Sequence, residues 1–215
     1  MTTVRVTHAR WSALIAAAYT TMGLNLMLAL AMSPLLAMLI LTDPVSTWPV
    51  LAILAPFCAP AVTAVFSVFQ MQRDGESAVV RPFLRAWRRA WRRATMLGAL
   101  STTVTVVLLT DLAMLSMTTY APLVVPVLWT LLAVSAAMSL TAAVAVVNSR
   151  RPEVPIRRIL MPSLILSVRR WPASILSLIV IVVQLVTFAN APALAIGITA
   201  APVLYLIWTH AQERA

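Results

Sequence analysis

Long apolar stretches without charge are the feature that most constrains how this chain can fold. They run to about 20 residues, the length that an α-helix needs to cross roughly 30 Å of hydrocarbon. Of the 215 residues, 61% are hydrophobic and 10% are charged, and the mean hydropathy is +0.94. Because soluble domains usually carry about 25% charged residues, the sequence predicts an all-α, polytopic transmembrane helical bundle.

The apolar stretches predict six spans, arranged as three helical hairpins within a single transmembrane domain. The predicted spans cover residues 12–41, 50–69, 95–117, 123–147, 173–188 and 193–208, and polar, arginine-rich loops occupy 70–94 and 148–172. The first apolar run is too long for a signal-peptide core of about 7–15 residues, which favours a retained span. Five spans remain the alternative, because only Arg214 argues against a C-terminus on the opposite side.

The arginines predict the orientation of the bundle. All 16 basic residues are arginine, and a six-span arrangement puts every one on the same side, whereas the opposite side holds Asp43. Short cytoplasmic loops carry the excess of basic residues, so both termini and both arginine-rich loops are predicted to be cytoplasmic. The richness in alanine and arginine, with no lysine, suggests a high-GC bacterium and therefore a bacterial cytoplasmic membrane. The charge of +10 does not predict nucleic-acid binding, because the arginines lie between spans rather than on one soluble face.

Residues 81–94 form the sharpest local pattern, an amphipathic interfacial helix that Pro82 suits as a first-turn residue. Aromatic residues recur at helical spacing on one side and arginines line the other. The predicted contacts with a partner or with lipid are Phe83, Trp87, Trp91, Arg85, Arg88, Arg89 and Arg92. Two interpretations stay open: an anchor on anionic lipid, worth about 1 kcal/mol per arginine, and a docking surface for a partner protein.

Few ionisable residues interrupt the predicted spans. A charge at mid-bilayer costs at least about 2.5 kcal/mol, so such residues are the default candidates for function. Asp111 is the clear ionisable case, and Asn25 and Gln184 add uncharged polarity. These three residues form a possible intramembrane polar site; for the two amides, a helix-to-helix hydrogen bond is an equally good interpretation.

The sequence contains no signature of catalysis. A Gly-rich phosphate loop, a His-Glu-x-x-His motif and a Gly-x-Ser-x-Gly motif are all absent. Cys58 is the lone cysteine, and the two histidines, His8 and His210, sit at opposite ends of the chain. We therefore expect neither an enzyme nor a cofactor or metal site.

Between Asn25 and Gly98, about a third of the chain, the sequence resembles the YesL-like family of small bacterial membrane proteins, which has no assigned activity. The residues that carry the resemblance are Asn25, Leu26, Leu28, Ser33-Pro34, Ala55-Pro56, Ala59-Pro60-Ala61, Asp74-Gly75-Glu76, Phe83, Ala86, Trp87-Arg88-Arg89, Trp91, Ala94-Thr95 and Leu97-Gly98. The chain departs from the family pattern at Ala55, usually glycine, and at Ala90, commonly asparagine.

This resemblance implies a role beside a transporter, because family members are often encoded next to carbohydrate-uptake ABC transporters. The predicted function is a non-enzymatic accessory or regulatory membrane subunit whose partners are integral-membrane transporter subunits and anionic lipids. Two alternatives remain open: a small stand-alone transporter or channel, and a membrane scaffold or assembly factor.

Overall fold

The computed structural model describes residues 18–75, 78–148 and 171–212. The predicted start of the first span, nearly all of loop 148–172 and both chain ends lie outside these residues. The described part is all-α, as predicted, and a π-helical segment interrupts the last helix at Ala195–Thr199. The α-helices are α1 Ala18–Ala31, α2 Ser33–Leu41, α3 Trp48–Arg73, α4 Val80–Leu115, α5 Ala121–Asn148, α6 Trp171–Asn190, α7 Pro192–Leu194 and α8 Ala200–Gln212.

Four helices of the described chain are long and apolar enough to span a membrane, and a bent pair makes a fifth. The four are α3, α4, α5 and the composite helix Pro192–Thr209, whereas the apolar segment Leu176–Asn190 of α6 is shorter. The fold is therefore that of a multi-pass helical membrane protein. The predicted count of six spans and the side that faces the cytoplasm stay predictions.

The first predicted span is two helices rather than one, since α1 and α2 meet at a bend of 72°. Pro34, in the first turn of α2, has no N–H to donate to the carbonyl four residues earlier. That carbonyl belongs to Leu30, and the Ser33 hydroxyl donates to it at 2.9 Å. The Ser33-Pro34 pair therefore bends the chain and satisfies the backbone group that the proline leaves open.

Helices α3 and α4 pack closely because Gly98 has no side chain. An ideal Cβ at this position would lie 2.7 Å from Ala59 Cβ and 2.9 Å from the Pro56 carbonyl oxygen. Pro60, four residues after Pro56 in α3, has no N–H with which to bond the Pro56 carbonyl. The close approach lets this carbonyl face the backbone of α4 without an intervening side chain.

One end of the bundle collects the described arginines. Gly23 of α1 lies beside the Val79 side chain just before α4, and Phe69 near the end of α3 packs on Trp208 of α8 at a ring separation of 5.9 Å. The start of α4 and the ends of α3 and α8 therefore share one end. Arg73 and the six arginines of α4 lie there, and we call it the arginine-rich end.

The arginine-rich helix and the third predicted span are one continuous helix of 36 residues. At 1.5 Å per residue it is about 54 Å long, which exceeds the roughly 30 Å hydrocarbon core. The first 14 residues, 80–93, account for about 21 Å of that length. The arginine segment is therefore joined to its span without a flexible link.

The turn between α2 and α3, at the opposite end, depends on ionised Asp43. Its carboxylate accepts hydrogen bonds from the Ser46 hydroxyl at 2.6 Å and from the backbone N–H groups of Val45 and Ser46. The bonds from Ser46 and Val45 hold the pKa of Asp43 below its ordinary value of 3.8. Stabilisation from this group is therefore present above 3.8 and is lost as the pH falls through the lower, folded-state pKa.

We expect Asp43→Asn to lower the melting temperature of the detergent-solubilised protein at neutral pH. The difference from the native chain should shrink on acidification, because protonation removes the same charge from the native carboxylate. Thermal melts of both proteins at neutral pH and at a series of acidic pH values below 3.8 test this. A difference that stays constant with pH would contradict it.

Candidate functional site

The last helix contains a backbone irregularity in an apolar stretch. Residues Ala195–Thr199 adopt a π-helical turn, in which each N–H reaches the carbonyl five residues back rather than four. Such a turn changes which backbone groups pair and is frequent at functional positions. Two of the three predicted intramembrane polar residues meet this segment.

Asn25 holds one side of the π-helical turn from the other end of the sequence. Its side chain is 2% exposed. The Asn25 Nδ2 group donates to the Gly197 carbonyl at 2.8 Å, and Asn25 Oδ1 accepts from the Ala201 N–H at 2.7 Å. One amide thus satisfies a backbone acceptor and a backbone donor where the α-helical register changes.

Gln184 of α6 holds the same turn through different groups. Its Nε2 donates to the Ala195 carbonyl at 2.9 Å, and its Oε1 accepts from the Thr199 hydroxyl at 2.8 Å. The same hydroxyl also lies 3.2 Å from the Ala195 carbonyl. The turn is therefore fixed by two amides, one from α1 and one from α6.

Asp111 does not belong to this arrangement. It lies near the C-terminal end of α4, far along the helix from the arginine-rich end, and contributes to none of the hydrogen bonds made by Asn25 and Gln184. The structure thus brings two of the three predicted polar residues to one backbone segment. Sequence reasoning missed Gly197, Thr199 and Ala201, because a backbone acceptor, a backbone donor and a common threonine carry no distinctive pattern.

The aromatic side of the arginine helix turns inwards. Phe83 is 2% exposed and belongs to the hydrophobic core. Trp87 packs edge-on against Trp91 at a ring separation of 4.7 Å, and Trp91 lies 6.3 Å from the ring of Phe57 on α3. Phe83 therefore offers little surface to a partner or to lipid, which corrects the predicted role of this residue.

The arginines of α4 divide into two groups by position. All six are exposed except Arg93, which is half-buried. Arg81, Arg88 and Arg92 lie within about 40° of one another around the helix, at 100° per residue, and do not line the cleft described next. We call these the outer arginines. Arg85, Arg89 and Arg93 recur every four residues and line a cleft between α4, α3 and α5. We call these the cleft arginines. The predicted set Arg85, Arg88, Arg89 and Arg92 thus takes two members from each group.

Acidic and metal-ligating groups are sparse in the described chain. Within residues 18–75, 78–148 and 171–212, no three His, Cys, Asp or Glu side chains are close enough together to hold a metal ion. The sites with structural support are therefore the amide-bound π-helical turn and the two arginine groups.

These features define a class of protein, a multi-pass helical membrane protein with a rigid cationic extension on one helix. Residues 22–112 match the model of a family described as "Protein of unknown function, DUF624". The match extends from α1 to near the end of α4, so it includes Asn25, Gly98 and all the arginines of α4. No curated protein and no solved structure matches the chain.

Proposed function

We propose that the chain is a non-enzymatic, YesL-like accessory subunit that packs against an integral-membrane transporter and engages it through the outer arginines. The partner class that the family resemblance favours is a carbohydrate importer of the ABC type. The observation that carries the proposal is the exposure of Arg81, Arg88 and Arg92 on a helix continuous with a span.

A rigid cationic helix suits docking because little conformational freedom is lost when it binds. The absence of a side chain at Gly98 lets α4 pack closely against α3, and buried Phe83 anchors the start of the helix in the core. The outer arginines therefore project from a helix whose position in the bundle is fixed. An acidic surface on the partner is the complementary chemistry.

A lateral surface for transporter helices is also available on α6. Val182, Val183, Leu185 and Val186 are all more than half exposed. In a bilayer such a face contacts either lipid or another transmembrane helix, since both are apolar. In the proposed role the chain contacts its transporter through two surfaces: this apolar side of α6 within the hydrocarbon and the outer arginines outside it.

The bonding of the intramembrane amides favours an accessory role over stand-alone transport. A polar path needs side-chain groups that can exchange partners with a solute. Asn25 and Gln184 instead each place one donor and one acceptor on the same backbone turn. Their bonding therefore supports a structural role.

We expect the charge-reversal triple Arg81→Glu, Arg88→Glu, Arg92→Glu to reduce recovery of the partner complex while leaving membrane insertion intact. Charge reversal juxtaposes like charges with an acidic partner, which costs several kcal/mol. The measurement is affinity purification from native membranes in mild detergent, followed by quantitative mass spectrometry. The matched control is Arg85→Glu, Arg89→Glu, Arg93→Glu, which makes the same charge change on the same helix.

The outcomes separate the alternatives. Near-stoichiometric recovery of transporter subunits with the native chain, reduced only by the outer triple, supports the proposal. Unchanged recovery with the outer triple overturns the docking surface.

A chain that purifies alone or as a homo-oligomer overturns the accessory role, and solute flux in liposomes that contain only this protein would then support stand-alone transport. An assembly factor would be indicated by two results together: the partner complex does not form in cells without this chain, and the assembled complex does not contain the chain.

A further inference from the structure

The cleft arginines line a defined, partly open cavity, and Arg85 and Arg89 also remain exposed to solvent. The cavity has a volume of about 290 Å³ and lies between α3, α4 and α5. This is near the lower limit of the roughly 300–1,000 Å³ typical of small-molecule sites. It suits a headgroup or a small solute rather than a polymer.

The cationic wall of the cavity comes from one helix face. Arg85, Arg89 and Arg93 line it together, and side chains four residues apart on a helix are neighbours on one face. Each guanidinium is permanently charged and presents donors in a planar fork that matches the oxygens of a phosphate. Three such groups around one cavity form an arrangement typical of phosphate recognition.

The facing wall adds neutral hydrogen-bonding groups. Ser67 and Gln70 of α3 also line the cavity. The Gln70 amide supplies donors that a phosphate can use. The Ser67 hydroxyl donates to the Thr63 carbonyl at 3.0 Å and can accept a hydrogen bond from a glycerol hydroxyl. Met71, Val146 and Val147 close the remaining side with apolar atoms. The cavity thus combines a cationic wall, a neutral polar wall and an apolar wall.

The cavity lies where α4 passes from its charged segment to its apolar one. Arg93 is the last charged residue before the uncharged stretch 94–110, so the cavity sits at the level expected for phospholipid headgroups. From these observations we propose that the cleft arginines bind a phosphate group carried on a small polyol, either the headgroup of an anionic phospholipid or a soluble phosphorylated compound of the same chemistry. This site is distinct from the partner contact proposed for the outer arginines.

Asp74 gives the site a built-in control. Asp74 also lines the cavity, so its negative charge opposes the binding of a phosphate there. Asp74→Asn removes this like charge at nearly constant size. We expect it to strengthen phosphate binding by about threefold to tenfold, since it removes a repulsion between like charges within the cavity. A folding defect does not produce tighter binding.

The test is native mass spectrometry of the full-length, delipidated protein in detergent. The lipid probe is phosphatidylglycerol, and phosphatidylcholine is the zwitterionic reference. A separate titration uses glycerol 3-phosphate and inorganic phosphate. The variants are the neutralising triple Arg85→Gln, Arg89→Gln, Arg93→Gln and the matched triple Arg81→Gln, Arg88→Gln, Arg92→Gln.

We expect the cleft triple to weaken phosphatidylglycerol binding by about 10-fold to 100-fold and the matched triple by less than about threefold. Binding of phosphatidylglycerol alone identifies the ligand as a lipid, and binding of glycerol 3-phosphate with the same dependence on the cleft triple identifies a soluble phosphate compound. The proposal is overturned if both triples weaken binding equally, because binding then follows net charge. It is also overturned if the native chain binds none of the phosphate probes, or if Asp74→Asn leaves their binding unchanged.

Discussion

A leucine in place of Gly98 is expected to force α3 and α4 apart and to remove most of the correctly folded protein. Even the first added carbon, Cβ, would lie 2.7 Å from Ala59 Cβ and 3.1 Å from Pro56 Cα. One neighbour is a backbone atom and the other is attached directly to the backbone, so neither can rotate away. Overpacking of this kind costs about 1–3 kcal/mol and sometimes more, and leucine adds three further carbons.

Alanine at position 98 tests the same contact with a smaller change. Helix propensity alone would make Gly98→Ala stabilising by about 1 kcal/mol, so a loss of stability identifies packing as the dominant effect. The measurements are the monodisperse fraction on size-exclusion chromatography and the melting temperature in detergent. Ala99→Leu, at the exposed neighbouring position, and Gly197→Ala, which has open space around it, are the controls. Equal losses of stability in the Gly98 variants and in the controls would show that Gly98 does not determine how closely α3 and α4 pack.

Replacing Asn25 with leucine is the second change with a large expected effect. It leaves the Gly197 carbonyl and the Ala201 N–H without their amide partner. Because two groups lose a bond in a dry environment, we expect a loss of about 2–3 kcal/mol. The melting temperature in detergent should fall, and hydrogen exchange should rise in peptides that cover residues 195–205.

Asn190 provides the matched control for Asn25. It is also an asparagine in an apolar helix, but it is exposed and donates to the Val186 carbonyl within its own helix at 2.8 Å. Asn190→Leu should change stability by less than about 0.5 kcal/mol. If the two leucine variants melt alike, the bonds to the π-helical turn do not stabilise the bundle.

The sequence predicts the helices well because lipid imposes a simple rule. Every backbone group in hydrocarbon must be bonded internally, so apolar length alone identifies α3 and α5. Helical spacing likewise places Phe83, Trp87 and Trp91 on one side of α4. It does not reveal that Phe83 is buried in the core while Trp87 and Trp91 are half-buried, because lipid and protein interior are equally apolar.

The hydrogen-bond partners of the polar residues could not be predicted from the sequence, for a different reason. The amides Asn25 and Gln184 stand out in apolar helices, but their partners are backbone groups of the π-helical turn. No residue pattern marks the position of that turn. In the same way the cleft arginines separate from the outer arginines only once α3 and α5 are in place.

The bond between Asn25 and α8 also sets an order of events during synthesis. Its partners lie 172 and 176 residues later in the chain, and ribosomes add about 5–20 residues per second. Gly197 and Ala201 are therefore synthesised roughly 9–35 s after Asn25. Until then the Asn25 amide lacks the backbone partners that it has in the folded bundle. The contact between α1 and the π-helical turn can thus form only after residues 195–201 have been made.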